Sequence, residues 1–534
     1  MSKKILAMLL AVLTTVCIFA GCAGNTASST GSAAPSSEAP SSAEATEPAK
    51  ISISYIRDAN APVNPAEWGP CIELAKDCNA EITWYEWGVT GEEYQTKLNL
   101  AISGGDTPDI FYSPDHDDTA GYVEDGLLLR IDDYLDKYPN IAKYNDNDET
   151  RYALDYDGNQ TLYSICGRYS EPFYWYGILA RTDVIKDIGY EYDGTIDSFT
   201  GLLRAIKKET GKAPFTLRSG VFGLFGTFCT SFGLYYSEAF YDDITKQYVV
   251  ASIDDRLYKL LTYLNTLWNE GLIDPEYSLN TTEMWEEKMS TSQAFVCRDY
   301  FVRCEALTNP IREKDPNSKF EMGAIALPVT EDGYKPYMWS NGTVSSFDQW
   351  CINADTEHPE TCLSILDTVL SEKYYLWRNY GIEGETYNMV DGKPTFTDDV
   401  PTVLNDFKGD MKADIWRASR VQLFGMITDT TAYELVSYGK YSYPGAMMYK
   451  EHGWLAPIPF NIPKKFFGDK EEQTATDIKT QLNDHFILQF QDFVEGKRPL
   501  NKEEYAKFQQ EMLNEYDGQK WMDIMNKAYK AWKG

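Results

Sequence analysis

Apolar and polar residues alternate through Ile51-Ser52-Ile53-Ser54-Tyr55-Ile56, a period of two that predicts a strand. The pattern breaks at Arg57-Asp58-Ala59-Asn60, a polar loop of the kind that carries function. From Glu67 to Cys78 the period lengthens, with Trp68, Ile72 and Ala75 on one helical face. Ala80 to Trp87 reads as a second strand, and Glu92 to Ser103 as a second helix with Tyr94, Leu98 and Ala101 or Ile102 inward. Gly104 and Gly105 end that helix, Pro108 fixes the turn, and Ile110-Phe111-Tyr112 opens a third strand. This β-α-β-α-β order predicts parallel strands joined by crossover helices, with ligands gathering at the strands' carboxyl ends. Further helices are predicted at 199–209, 254–270, 505–516 and 518–532. The fold class is α/β. A length of 534 residues, 43% of them hydrophobic, supports a large core and two or more lobes.

The first fifty residues follow a different pattern. Lys3 and Lys4 precede an apolar run from Ile5 to Phe19, which ends at Phe19-Ala20-Gly21-Cys22. The run is shorter than the roughly 20 apolar residues that span a bilayer, and its basic head and small-residue end are the layout of an export signal. Its last four residues resemble the lipobox of bacterial lipoproteins, although Phe19 stands where leucine is usual. The resemblance implies cleavage before Cys22, whose thiol would carry a diacylglycerol anchor of the palmitate type. From Ala23 to Pro48 the chain has no large apolar residue and is rich in Ser, Ala, Thr, Pro and Glu. Such a segment cannot bury enough surface to offset its ordering entropy and reads as a flexible tether. The expectation is a signal peptide at 1–21, a lipidated cysteine and tether at 22–50, and a domain held outside the membrane. No later run approaches membrane-spanning length.

Charge and cysteine usage narrow the function classes. A formal net charge of -32 excludes nucleic acid and anionic lipid head groups as favoured partners, since both need a basic surface. Of ten cysteines, Cys17 and Cys22 belong to the signal. None of the remaining eight is spaced CxxC and the four histidines are scattered, so no metal site is expected. Buried thiols and disulfides both remain open for an exported chain. The 13 Trp, 38 Tyr and 24 Phe supply flat faces for ligand stacking, and equally fill ordinary cores.

Ser103-Gly104-Gly105-Asp106-Thr107-Pro108-Asp109-Ile110-Phe111 is similar to the SGDxPDI signature of family 1 extracellular solute-binding proteins, the carbohydrate-receiving lipoproteins of ABC importers. Further stretches match in order. They are Gly126 to Tyr134, Asp157-Gly158 with Leu162 to Ile165 (Cys166 standing where proline is usual), Leu179 to Asp183, and Gly271 to Glu276. Tyr380-Gly381-Ile382-Glu383-Gly384-Glu385-Thr386-Tyr387 is close to the YGIEG loop of the large sugar-binding subgroup. The resemblance covers roughly 51–534. It implies a two-lobed periplasmic-binding-protein-like fold with an interlobe ligand cleft. The first lobe would hold 51–165 and 346–386, and the second 166–345 and 387–534. It also implies two permease subunits and a cytoplasmic ATPase as partners, with the protein a monomer on the outer face of the cytoplasmic membrane.

Sugar binding asks for polar side chains on ring hydroxyls and Trp or Tyr faces over the apolar face of the ring. Residues at strand ends that meet this are Asp58, Trp87 and Asp115 in the first lobe, and Trp175 and Tyr176 near the crossing. Arg298 and Asp299 are placed after a strand at Ala294 to Cys297, Trp339 before the second crossing, and Glu383 in the YGIEG-like loop. Asp155-x-Asp157-Gly158-Asn159 suggests a calcium loop, but its glycine falls at position four rather than six, so a hairpin turn is expected instead. The Lys207 to Pro214 region lacks the ligands of the family's calcium loop. No nucleophile elbow, phosphate loop or HExxH is present, so neither a catalytic residue nor a cofactor is expected. The reading is a substrate-binding lipoprotein that delivers a carbohydrate, an oligosaccharide, to a permease. The alternatives are a receptor for a peptide or polyol, or a surface adhesin or sensor of the same fold.

Overall fold

The computed structural model describes residues 47–57, 64–114, 116–146, 150–151, 154–338, 343–405, 427–455, 462 and 464–533. β1 (Ala49–Tyr55), β2 (Ala80–Glu86) and β3 (Ile110–Ser113) are parallel, with Ala49 opposite Ala80 and Ile53 opposite Ile110. The helices Gly69–Asp77 and Gly91–Gly104 form the predicted crossovers. Thr90 caps the second by accepting the Glu93 N–H, and Gly105 ends it in the left-handed region at φ 76°. A side chain there would be strained, which is why the helix stops at this glycine.

β4 (Ser164–Tyr169), β11 (Val344–Ile352) and β14 (Ile427–Thr428) complete a six-stranded sheet in the order β14-β4-β11-β3-β1-β2. β11 runs antiparallel to both β3 and β4, and β14 runs parallel to β4. A second sheet, in the order β10-β5-β9-β6, is built from β5 (Tyr176–Arg181), β6 (Phe215–Thr216), β9 (Val296–Tyr300) and β10 (Met322–Ile325). Two hairpins stand apart, β7 (Ala239–Asp242) with β8 (Gln247–Val250), and β12 (Tyr387–Val390) with β13 (Lys393–Phe396). Each large sheet has its own buried core. Ile53, Phe111, Ile165, Trp350 and Leu366 anchor one; Leu179, Phe199, Leu260, Trp285 and Phe490 anchor the other.

The motif residues stitch this frame. Asp109 accepts the Ser52 N–H at 2.8 Å and the Ser52 and Thr356 hydroxyls at 2.6 and 2.5 Å, tying β1 and β3 to the chain beyond β11. Asp274 accepts from Thr216 Oγ1, Asn280 Nδ2 and Lys288 Nζ, and these contacts hold its carboxyl below the ordinary range against the cost of burial. Arg181 meets Asp183 through two bonds of 2.8 and 2.7 Å and lies over the Phe320 ring. These side chains hold strands in register.

Three sequence expectations change. Residues 427–428, placed with the second lobe by sequence, pair with β4 of the first sheet; two residues carry no periodicity to read. Asp155 to Asn159 is a turn but not a hairpin: Asp157 and Asp155 accept the N–H groups of Asn159 and Gln160, while β4 pairs with β11 and β14. The strand expected at Ala294 to Cys297 runs instead from Val296 to Tyr300, so Arg298 and Asp299 lie inside it. Their charges are accommodated by an aromatic pair and by a second arginine. Cys71, Cys78, Cys166, Cys229, Cys297, Cys304, Cys351 and Cys362 are buried free thiols. No helix among the described residues is long and apolar enough to cross a membrane.

Candidate functional site

The chain passes between the two sheets after β4, before β11 and after β14, and these passages are hydrogen-bonded together. Tyr169 N–H donates to the Thr343 carbonyl at 2.9 Å, and Ser170 N–H to the Thr428 carbonyl at 2.9 Å. The Thr430 hydroxyl donates to the Glu171 carbonyl at 2.7 Å and accepts the Glu171 N–H at 3.1 Å. Three adjacent crossings are the arrangement in which small backbone rotations swing one lobe against the other. The carboxyl ends of β1, β2, β3 and β4 all lie at this edge of the first sheet, as their parallel and antiparallel pairings require.

Aromatic side chains collect where the first crossing enters the second sheet. Trp175 packs edge-on against Phe173, ring centroids 4.3 Å apart, and reaches Tyr169, Tyr300 and Tyr433. Tyr176 and Tyr300 are opposite each other in the β5–β9 register, with ring centroids 4.1 Å apart. Burial, then the Tyr300 hydroxyl, push the Tyr176 phenol up, so it stays neutral. Arg298, two residues before Tyr300 on the same strand face, sets its guanidinium 4.6 Å from the Tyr176 ring centroid and 5.3 Å from that of Tyr236.

Asp299 points the other way and is fully engaged. Its two oxygens accept from Arg218 Nε and Nη2 at 2.7 and 2.9 Å, and Oδ1 also accepts the Tyr300 N–H. The Asp299 carboxylate raises Arg218 above its ordinary value, so the guanidinium stays charged. Arg218 Nη1 donates to Thr282 Oγ1, and the guanidinium lies 5.5 Å from the Trp285 ring. Arg303 bonds Glu286 at 2.6 Å beside the same ring. Arg218 was missed in the sequence because β6 is only two residues long; its place just past a strand's carboxyl end was the available signal.

The predicted residues therefore divide. Trp175, Tyr176 and Arg298 come together where β5 pairs with β9, while Asp299 turns to Arg218 on the other side of β9. Trp87 follows β2 as expected and is half-buried, its ring 6.2 Å from Tyr85 and 5.7 Å from Tyr94. Glu383 is exposed in a loop that Thr386 braces by accepting the Ile382 N–H and donating to the Tyr380 carbonyl; no described contact joins it to the cluster. Asp58, Asp115, Trp339 and Cys22 lie outside the described residues. A groove of about 490 Å³ opens between β2 and the helix Gly69–Asp77, lined in part by Cys71, Ile72, Ile82 and Trp84. It includes none of the predicted site residues, and it has no charged group as deeply buried as Arg298.

The family model for bacterial extracellular solute-binding proteins matches residues 73–375, more than half of the chain. Lipoprotein LipO of Bacillus subtilis (strain 168) is 22% identical over 371 residues, 64% of this chain and 69% of that protein. The polygalacturonan/rhamnogalacturonan-binding protein YtcQ of the same organism is 23% identical over 339 residues, 61% of this chain and 64% of that one. Among solved structures, the Streptococcus pneumoniae ABC-transporter substrate binding protein FusA in complex with kestose superposes with a TM-score of 0.63 at 16% identity, covering 91% of this chain and 99% of that one. The fold is thus the two-lobed α/β fold of periplasmic binding proteins, and the family is one of substrate-binding proteins, not enzymes. Sequence match and fold agree that the chain belongs to the bacterial extracellular solute-binding proteins.

Proposed function

We propose that this protein captures an oligosaccharide between its lobes and delivers it to a membrane permease driven by a cytoplasmic ATPase. The observation that carries the reading is the cluster of Trp175, Tyr176, Tyr300 and Arg298 beside the three crossings. Paired tyrosine rings offer the flat face that a pyranose covers, and the guanidinium offers donors fixed in a plane. A site at the hinge couples binding to closure, because a ligand touching both lobes favours the closed state by its differential affinity. The relatives point the same way: YtcQ is named for binding polygalacturonan and rhamnogalacturonan, and FusA was solved with kestose. Trp87 and Glu383, with Asp58, Asp115 and Trp339, are the contacts proposed from the rest of the chain. Cys22 is the proposed lipid attachment point, and the stretch expected as a tether at 22–50 gives way to β1 at Ala49; it would hold a monomer on the outer face of the cytoplasmic membrane.

Thermal unfolding of the full-length protein against a panel of mono- and oligosaccharides tests this. A ligand that binds only the folded state raises the midpoint with its occupancy. A dose-dependent rise with one oligosaccharide class is expected. A rise with peptides or polyols and with no sugar would contradict the carbohydrate reading.

A further inference from the structure

Among the described residues, Arg298 is the one arginine of the cluster without a carboxylate partner. Arg218 has Asp299 and Arg303 has Glu286, each within 2.7 Å. Arg298 is only 5% exposed, and its Nε is buried without a hydrogen-bond partner among the described residues. Its neighbours are the Tyr176 and Tyr236 rings and the Tyr236 hydroxyl, which is hydrogen-bonded to the guanidinium and stays neutral because burial pushes its phenol up, so Arg298 has a neutral partner but no carboxylate. Taking a cation out of water without an anion is unfavourable, and ring faces recover only part of the lost hydration. A position this deep, in a central strand between β5 and β6, needs no charged residue for folding.

We propose that Arg298 receives the carboxylate of a sugar acid, which makes the ligand a uronic-acid oligosaccharide; this rests on the oligosaccharide reading above. A guanidinium matches a carboxylate through two parallel N–H···O bonds. Tyr176 and Tyr300 are half-buried beside it, so a ring stacked on them brings its carboxylate toward the guanidinium. The charges agree. In a chain of net charge -32, Arg218 and Arg303 are each balanced by a carboxylate, and Arg298 is left as the cation with none beside it among the described residues. The cluster is therefore a place where an otherwise acidic protein accepts an anion.

The test is calorimetric titration of the full-length protein with three sugar sets. These are uronate oligosaccharides (galacturonate, glucuronate and mannuronate series), their methyl esters, and a neutral fructo-oligosaccharide. One uronate series should bind, and its methyl ester should bind about 30-fold or more weakly, as loss of a buried charge pair implies. Arg298→Gln should weaken the acidic sugar by a similar factor and its methyl ester by clearly less, since the ester loses only neutral hydrogen bonds, while Arg298→Lys should restore part of the binding to the acid. If Arg298→Gln fails to fold, the wild-type contrast between acid and ester still decides. Binding of neutral but not acidic sugars would overturn the assignment and leave the oligosaccharide reading standing. Acid and ester binding equally would overturn it as well. No binding of any sugar would overturn both.

Discussion

The strand ends beside the crossings handle charge in opposite ways in the two sheets. At the end of β2, Glu86 pairs with Arg57 in the open, their side chains 44% and 31% exposed. At the end of β9, Asp299 is 2% exposed and grips Arg218, while Arg298 next to it is buried without an anion. An exposed pair gains little because water screens it and both side chains lose freedom. A buried pair pays for desolvation and is costly to break from one side. Charge retained inside β9 thus has a positional or ligand-directed use, whereas charge at the end of β2 serves hydration. Trp87 and Trp175 show the same split, one resting on Tyr85 and Tyr94 at a sheet edge, the other locked among four aromatic rings.

The largest effect should come from breaking the buried pair. Asp299→Ala leaves Arg218 without its carboxylate and should lower stability by about 3 kcal/mol, read as a fall in the urea midpoint at constant slope. Trp175→Ala removes the edge contact on Phe173 and should cost about 2 kcal/mol, with weaker sugar binding measured by calorimetry. A shift in stability without a change in affinity would assign Trp175 to the hinge alone.

Glu238, just before β7, extends the contrast to pH. Its carboxyl is fully buried and accepts the Ser252 N–H at 3.2 Å, while its second oxygen has no partner among the described residues. Burial pushes its pKa up from 4.5 to about 8. The folded protein therefore holds a proton that the unfolded chain releases above about pH 4.5. Its contribution is fully present below that pH and declines as pH rises to about 8, where the folded group ionises as well. Glu238→Gln should flatten this part of the pH–stability curve; an unchanged slope would show that other groups set it. The smallest effect is expected at the exposed pair, where Arg57→Ala should leave the unfolding midpoint within error.

These outcomes also bear on how much of the molecule could be read in advance. β1 to β3 and their crossover helices are legible because alternation, helical period and the Gly104-Gly105 and Pro108 breaks agree locally. β6 and β14 are two residues each and depend on partners distant in sequence, which no local pattern signals. Arg298 and Asp299 look like a strand's end because charges end most strands; their partners, Tyr236 and Arg218, lie 62 and 81 residues away. Motif matching identifies Asp109, Asp274 and Arg181 readily, yet each holds the frame. Glu383 was proposed from its motif, and the structure shows that loop braced by Thr386. Chemistry at strand ends pointed to Tyr176 and Arg298, and packing alone separates Arg298 from Asp299.

The most direct test of the account is hydrogen exchange of the full-length protein, with and without the oligosaccharide that raises its unfolding midpoint most. The account predicts new protection at 169–176, 215–218 and 296–303, where the crossings and the Tyr176–Arg298–Tyr300 cluster meet. Protection confined to 381–387 or to the groove beside β2, with these segments unchanged, would contradict it.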